Sequence, residues 1–386
     1  MRALIVVVGQ RTEHWEGFFA ALARRSELEV TVLAADVTRL ASERLNKLAG
    51  SNPRFSFRIA PHILSEARTG HMASVLFRPG WWRALRAEPL PDVIHTLGEP
   101  AYLTTLQTIR FRNRFSPETP VTFSAAQNVV TRFPPPFPRF EQYAYRQAAL
   151  ALPATPAALA VLRTKGFPGP AQIVPLGVDL DRFHPQAPPD GPFTVGFVGR
   201  LEPHKGVGDL LAAARNLGCR LLVAGDGSLR PLVEDEQRRR PGDVEFLRWV
   251  DHERLPALLR RMHALAFPSV EIVQRNVVPW IGVPLREQFG RVLVEAMACG
   301  VPVVANDVGE IKHVLGGGGI TVPAGDPPAL AGGLAAVRDR PELAGALRRA
   351  GITRAPLFDW ARIADDVYET WSRLVARTRE CRSQAT

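Results

Sequence analysis

Cysteine is scarce: Cys219, Cys299 and Cys381 are the only three in 386 residues, far apart and odd in number. That argues against a disulfide-stapled framework or a cysteine-built metal cluster and fits a reducing, cytoplasmic compartment. Lysine is scarcer than the charge suggests, with four among the 48 basic residues, so arginine carries almost all positive charge. No apolar run approaches the ~20 residues of a membrane span. The N-terminal run Ala3–Val8 lacks a small-residue cleavage pattern and reads as a first strand, not as a signal peptide. Zinc-finger spacing, a basic dimerising helix and an aromatic RNA-binding signature are also missing, which sets nucleic acid aside.

What is present is an ordinary globular composition, 46% hydrophobic and 22% charged, long enough for two or three domains. The net charge of +10 is uneven: residues 1–188 hold 22 Lys+Arg against 14 Asp+Glu, and the remainder 26 against 24. A basic excess suits an anionic partner such as a phosphorylated substrate or a membrane surface. Two runs mix arginine with aromatics, TIRFRNRF (108–115) and FRPGWWRALR (77–86). They offer a peripheral contact with an anionic membrane surface. Packed aromatics with solvated arginines are the other reading.

Short apolar runs recur along the chain: 3–8, 28–34, 92–97, 120–125, 194–199, 219–225, 263–269 and 301–306. Helical patterns such as Trp15–Arg25 and Gly208–Leu217 lie between them. This alternation predicts βα units around parallel sheets, an α/β doubly wound architecture. The strands suffice for two sheets. Pro175–Phe193, with five prolines and two glycines, reads as the linker. The expectation is therefore two Rossmann-like domains, 1–188 and 189–359, their parallel sheets facing across a cleft, with ligands at the C-terminal ends of the strands.

The segment PLREQFGRVLVEAMACGVPVVAN (284–306) carries Glu287 and Glu295, eight positions apart. A helix from Gly290 to Gly300 fits, with Gly300 just past its end and Pro302 blocking continuation. On a continuous helix the two glutamates would differ by about 80°, so they would not stack on one face. Glu287 is expected in the loop before the helix and Glu295 on its second turn. The helix N-terminus between them attracts anions, and Gly290 lets the backbone approach a ligand. Carboxylates on either side of an anion site suit a molecule with a charged middle and hydroxyl-bearing ends, such as a nucleotide sugar.

Other stretches extend this pattern. In VGFVGRLEPHKGVGDLL (195–211), Arg200 and Lys205 bracket a strand-to-helix turn where both can meet a pyrophosphate. It is not a Walker loop. Asp226 in VAGDGS reads as a turn residue or a ligand contact. Arg248 and Trp249 stand at another strand end, before a helix expected to be capped by Asp251, and a base can rest there on backbone groups. Trp249 reads equally as core. His95 is expected to be a packed strand histidine. Asp179 and Asp181 read as a hinge turn and not as a metal site.

The segments GFVGRLEPHKG, LLVAGDG, FPS, REQFGRVLVEAMACGVPVVAN and GGITVPAGDPPAL occur in an order that resembles the retaining GT-B glycosyltransferases of family 4, the glycogen-synthase-like group. Glu287 through Glu295 matches that family's E-x7-E motif. GVDLDRFHP resembles its hinge, and the stretch from residue 358 resembles its C-terminal helix, which implies that 360–386 packs back on the first domain. The resemblance implies a metal-independent hexosyltransferase without a cofactor. It would move a sugar from a nucleoside-diphosphate sugar to a hydroxyl acceptor (a glycan, a lipid-linked molecule or a small molecule). In that picture Arg200 and Lys205 neutralise the leaving diphosphate and Glu287 positions the donor sugar, with backbone amides from Phe289, Gly290 and Arg291 on its hydroxyls. Glu295 binds the ribose, and the base lies against Arg248, Trp249 and Val250. The first half departs from the family: Gly9 stands alone where relatives have a Gly-Gly pair, and Ser124 stands where some have a histidine. Gly9 remains a donor-side candidate, and Ser124, Gln127 and Asn128 are acceptor-side candidates. The segment 270–286 is longer than the family leads one to expect. A non-catalytic nucleotide-sugar binder and a sugar-nucleotide epimerase are the alternatives.

Overall fold

The computed structural model describes residues 1–9, 12–66, 72–85, 87–131, 133–275 and 282–383. Arg86 of the run FRPGWWRALR, residues 276–281 of the long segment before Glu287, and residues 384–386 lie outside the described residues. The chain forms two compact units, one of Met1–Pro175 with the C-terminal helix Trp360–Ser383, the other of Leu176–Asp359.

In the first unit a six-stranded parallel sheet is built from β1 (Arg2–Val8), β2 (Glu29–Ala35), β3 (Phe55–Ile59), β6 (Val93–Leu97), β7 (Val121–Ala125) and β8 (Ala148–Pro153). Their order is β3-β2-β1-β6-β7-β8, with Val6 opposite both Leu33 and Thr96. A small antiparallel pair, β4 (His62–Leu64) and β5 (Leu76–Phe77), stands apart. The β1 run is buried on both faces, as its unbroken apolar sequence requires. One face packs on the helix Glu16–Ala23 and the C-terminal helix, where Trp371 is fully buried. Trp360 packs against Trp15 and Phe18 at ring distances of 5.7 and 5.6 Å. A Cβ on Gly17 would collide with the Trp360 ring, so the glycine sets how closely those two helices approach.

The second unit repeats the plan. Its parallel strands are β9 (Thr194–Val198), β10 (Arg220–Ala224), β11 (Val244–Leu247), β12 (Ala264–Phe267), β15 (Val303–Asn306) and β16 (Gly319–Val322), in the order β11-β10-β9-β12-β15-β16. The antiparallel pair β13 (Ile272–Arg275) and β14 (Gly282–Leu285) forms the long segment before Glu287. Chain order reverses between β9 and β12. In such sheets ligands bind at that switch point, beyond the C-terminal strand ends.

The division between units falls at Pro175/Leu176, ahead of the 188 expected from proline content. Val178 and Phe183 are buried in the second unit's core, and Val178 N donates to Phe358 O at 2.7 Å. Apolar side chains inside the proline-rich stretch decide the boundary, not its composition. All eight expected strands are present. Four more, β3, β8, β11 and β16, lie at sheet edges, where FSFRI, AALALP, VEFL and GITV give weak apolar signals.

His95, on β6, is 1% exposed and packs 5.5 Å from the Trp371 ring. Its Nδ1 lies 2.8 Å from Thr122 Oγ1 and its Nε2 3.1 Å from Ser124 Oγ. Burial pulls its pKa down to about 3, against the raising effect of its bonding to Thr122. The unfolded histidine takes a proton near pH 6.5 and the folded one only near 3. The unfolded state therefore binds more protons in that window, and stability falls as pH drops through it. His95→Gln is expected to flatten the dependence of Tm on pH between 6.5 and 4, while lowering Tm at pH 7. An unchanged slope would show that this histidine does not govern acid stability.

Candidate functional site

β9 leads through Gly199 and Arg200 into a short 3-10 turn, Pro203–Lys205, and then into the helix Val207–Leu217. Gly206 joins turn and helix with φ +65°, a conformation that costs an L side chain. A Cβ there would also collide with Pro268 O, in the chain just past β12. The loops after β9 and β12 thus touch at the switch point, and Val270 N donates to His204 O at 2.9 Å.

Lys205 is the outcome of that contact. Its Nζ donates to Glu287 Oε2 at 2.5 Å, and Ser269 Oγ donates to the same oxygen at 3.3 Å. The ammonium lies 5.3 Å from the centre of the Phe267 ring. The side chains of Lys205 and Glu287 are 15% and 12% exposed. At that burial a cation left without an anion is costly, and the pair answers the cost on both sides. Asn306, 1% exposed, fixes the floor by donating to Pro268 O at 3.0 Å.

Glu287 lies in the loop after β14, and its carbonyl accepts from Glu310 N at 3.4 Å. Phe289, 3% exposed, packs edge-on against Phe358 at 5.7 Å. Gly290 (φ +73°) is the N-cap of the helix Arg291–Ala298, which ends at Cys299 before Gly300. Glu287 and Glu295 thus take the loop and second-turn positions expected of them.

Glu295 is 3% exposed and held differently. His252 Nε2 donates to its Oε1 at 2.7 Å, and Arg291 Nε lies 3.6 Å away. Burial opposes its ionisation. The His252 hydrogen bond and the charges of Arg291, His252 and Arg182 outweigh burial, so its pKa sits below the ordinary value. The carboxylate is charged and surrounded by cations.

The other sequence-predicted residues fall into two sets. Arg200 is exposed, with Nη2 donating to His204 Nε2 at 3.3 Å. Burial, then the charges of Lys205 and Arg200, push the His204 pKa down to about 4, so its ring is a neutral acceptor at pH 7. Arg248 is exposed and bonded to Glu234 at 3.1 Å, and Trp249 is 73% exposed, which rules out the core reading. Val250 packs against the unit's core. Asp251 does not cap the following helix: Leu255–Leu259 starts one turn later, with Arg254 at the cap and Asp251 O accepting from Arg254 N at 2.8 Å. Asp179 Oδ1 accepts from Asp181 N at 3.1 Å, which is turn geometry. The second set lies in the first unit. Gly9 has φ +103°, the Ser124 hydroxyl is bonded to His95, Gln127 is half-buried and Asn128 is buried.

His252 and Ser269 were not anticipated as partners of Glu295 and Glu287. Ser269 lies in the quoted FPS segment. His252 is 43 positions from Glu295, and nothing in the local pattern joins them. Glu99, in the first unit, was also missed. Its Oε1 accepts from Ala126 N and Gln127 N at 2.7 and 3.1 Å, and burial raises its pKa to about 7.

Residues 192–339 match the family model described as glycosyl transferases group 1. This segment is similar to that family. Arg200, Lys205, Arg248, Glu287 and Glu295 all lie inside it. Over 213 residues the chain is 33% identical to a glycogen synthase of Mycobacterium tuberculosis, covering 51% of this chain and 47% of the relative. Over 192 residues it is 34% identical to a phosphatidyl-myo-inositol mannosyltransferase of Mycobacterium leprae, covering 46% of each. The chain spans about half the length of the curated relatives it matches. Among solved structures, sucrose-phosphate synthase from Thermosynechococcus elongatus superposes with a TM-score of 0.72 at 20% identity, covering 97% of this chain and 100% of that one. The Anabaena protein HepE in complex with UDP gives 0.73 at 18% identity, with the same coverages. These likenesses show the fold, which is GT-B: two Rossmann-like domains, each with its own parallel sheet.

The group 1 segment depends on the close approach at Gly206. Gly206→Ala is expected to cost at least about 1–2 kcal/mol from the left-handed backbone alone, more from the overlap with Pro268 O, and to lower Tm. Gly208→Ala, where a Cβ meets nothing within 4 Å, should leave Tm level or raise it. Equal Tm changes in the two variants would contradict the contact.

Proposed function

We propose that the chain is a retaining, metal-independent glycosyltransferase that moves a hexosyl group from a nucleoside-diphosphate sugar to a hydroxyl acceptor. The observation that carries this reading is the Lys205–Glu287 pair at the β9/β12 switch point, 2.5 Å apart beside a helix that begins at a left-handed glycine. A cation for a diphosphate and a carboxylate for sugar hydroxyls stand where such sheets bind nucleotides. The likeness of residues 192–339 to the glycosyl transferases group 1 model supports the same assignment. Relatives named glycogen synthase and phosphatidyl-myo-inositol mannosyltransferase are similar to this chain over 213 and 192 residues. In this reading the segment carries the donor half of the reaction, and the acceptor is a glycan, a lipid-linked molecule or a small molecule.

In this reading the bond from the anomeric carbon to the diphosphate oxygen breaks, and the electron pair leaves with the diphosphate. Lys205 and Arg200 receive that developing charge, so no metal is required. The acceptor oxygen bonds the anomeric carbon on the face the diphosphate leaves, and its proton passes to the departing phosphate. Glu287 holds the sugar hydroxyls, with the amides of 289–291 beside it. Glu295 faces the ribose and Arg248–Val250 the base. His204, neutral at pH 7, orients Arg200 by accepting its hydrogen bond.

Turnover of isotope-labelled donor sugars tests the proposal. Lys205→Ala is expected to lower kcat by about 10²–10³, Glu287→Ala to abolish transfer, and a chelator to leave the rate unchanged. Equal turnover in wild type and Glu287→Ala, or activity lost in chelator and restored by manganese, would refute it. Donor binding without transfer to any acceptor would make the protein a binder, and sugar interconversion without an acceptor would make it an epimerase.

A further inference from the structure

The first unit carries an aromatic and cationic surface that the proposed transfer does not use. Trp82, in the 3-10 turn Trp81–Leu85, is 39% exposed, and Phe115, at the end of the helix Leu103–Phe115, is 38% exposed. Their rings lie 6.2 Å apart, so two separate elements present one aromatic face. Buried Trp81 and half-buried Phe111 support it from below, Phe111 at 5.1 Å from Phe115 and 5.3 Å from Trp81. Phe111 also lines a cavity of about 250 Å³ with Leu85 and Leu90. Leu90 is 53% exposed, and the same cavity also carries Glu29, Glu88, Arg2 and Arg54.

Three arginines flank the aromatic pair, while Glu88 at the neighbouring cavity is held by Arg58. Arg83 follows Trp82, while Arg110 and Arg114 form the helix row beside Phe111 and Phe115. All three are exposed, and none makes an ion pair among the described residues. Arg114 instead lies 5.6 Å over the Phe115 ring. By contrast Arg39, Arg44 and Arg58 of the same unit are paired with Glu43, Glu16 and Glu88. No helix among the described residues is long and apolar enough to cross a membrane.

We propose that this face docks the first unit on an anionic lipid surface, with Trp82 and Phe115 in the headgroup boundary and Arg83, Arg110 and Arg114 on lipid phosphates. Tryptophan and phenylalanine favour that boundary, and unpaired arginine adds attraction that grows with the anionic lipid fraction. The inference stands on this surface alone and is independent of the reaction assigned to the other unit.

Co-sedimentation of the full chain with phosphatidylcholine vesicles, with and without phosphatidylglycerol, tests it. Wild type is expected to bind the mixed vesicles and to release as salt rises. Replacing Arg83, Arg110 and Arg114 by Gln should weaken partitioning about fivefold per arginine. Trp82→Ala with Phe115→Ala should weaken it at unchanged charge. Turnover of a soluble acceptor should stay at its wild-type value in both variants, and Tm should stay level in the arginine variant. Wild type failing to bind, or binding equally with and without phosphatidylglycerol, would overturn the proposal. So would a wild-type dimer in sedimentation velocity that the aromatic variant loses, since a second copy would then cover the face.

Discussion

The second unit is organised around one short contact between opposite charges, Lys205 with Glu287, placed where the sheet reverses its strand order. Each group reaches that point from a different loop, 82 positions apart, and contacts tie the two loops together. Gly206 lets the β9 loop lie against Pro268 O, Asn306 holds that same carbonyl, and Ser269 bonds the glutamate from β12. The arrangement keeps a cation and an anion at low exposure, each as the other's counter-ion. An arriving diphosphate would share the lysine, and a sugar hydroxyl would donate to the carboxylate. In the proposed reading such an exchange would need little reorganisation, because the groups are already partly desolvated and fixed.

The second glutamate shows the same chemistry solved in another way. Glu295 is nearly inaccessible and stays ionised because His252, Arg291 and Arg182 surround it. Its position is set from outside its own helix, by a histidine in the loop after β11. The two acids of one motif therefore occupy unlike environments: one in the contact at the strand ends, one buried and anchored. Arg200 follows a third pattern. It is exposed and is steered by neutral His204, whose low pKa comes from burial and from the two cations beside it.

Much of this was legible from residue pattern. Unbroken apolar runs located the inner strands of both sheets because strands covered on both faces tolerate few polar residues. Gly290 and Gly300 bounded the helix because their left-handed conformations are easiest for glycine, and this put Glu287 in the loop and Glu295 on the second turn. Edge strands such as AALALP were not legible, since alanine-rich sequence following a helix has no distinctive period. The division between units falls at the start of the expected linker, because Val178 and Phe183 belong to the second unit's core. Asp251 looked like a cap by type, yet the chain makes another turn before the helix starts. His252 was invisible for a different reason: only tertiary structure brings it to Glu295.

The most direct measurement of the central claim is nucleoside-diphosphate binding read as thermal stabilisation, because a ligand bound to the folded state alone raises Tm with its concentration. Titration of UDP, GDP and ADP into wild type is predicted to raise Tm with at least one of them, and Lys205→Met is predicted to lose most of that rise while remaining folded. A rise of equal size in Lys205→Met would contradict the placement of the phosphates at the Lys205–Glu287 contact.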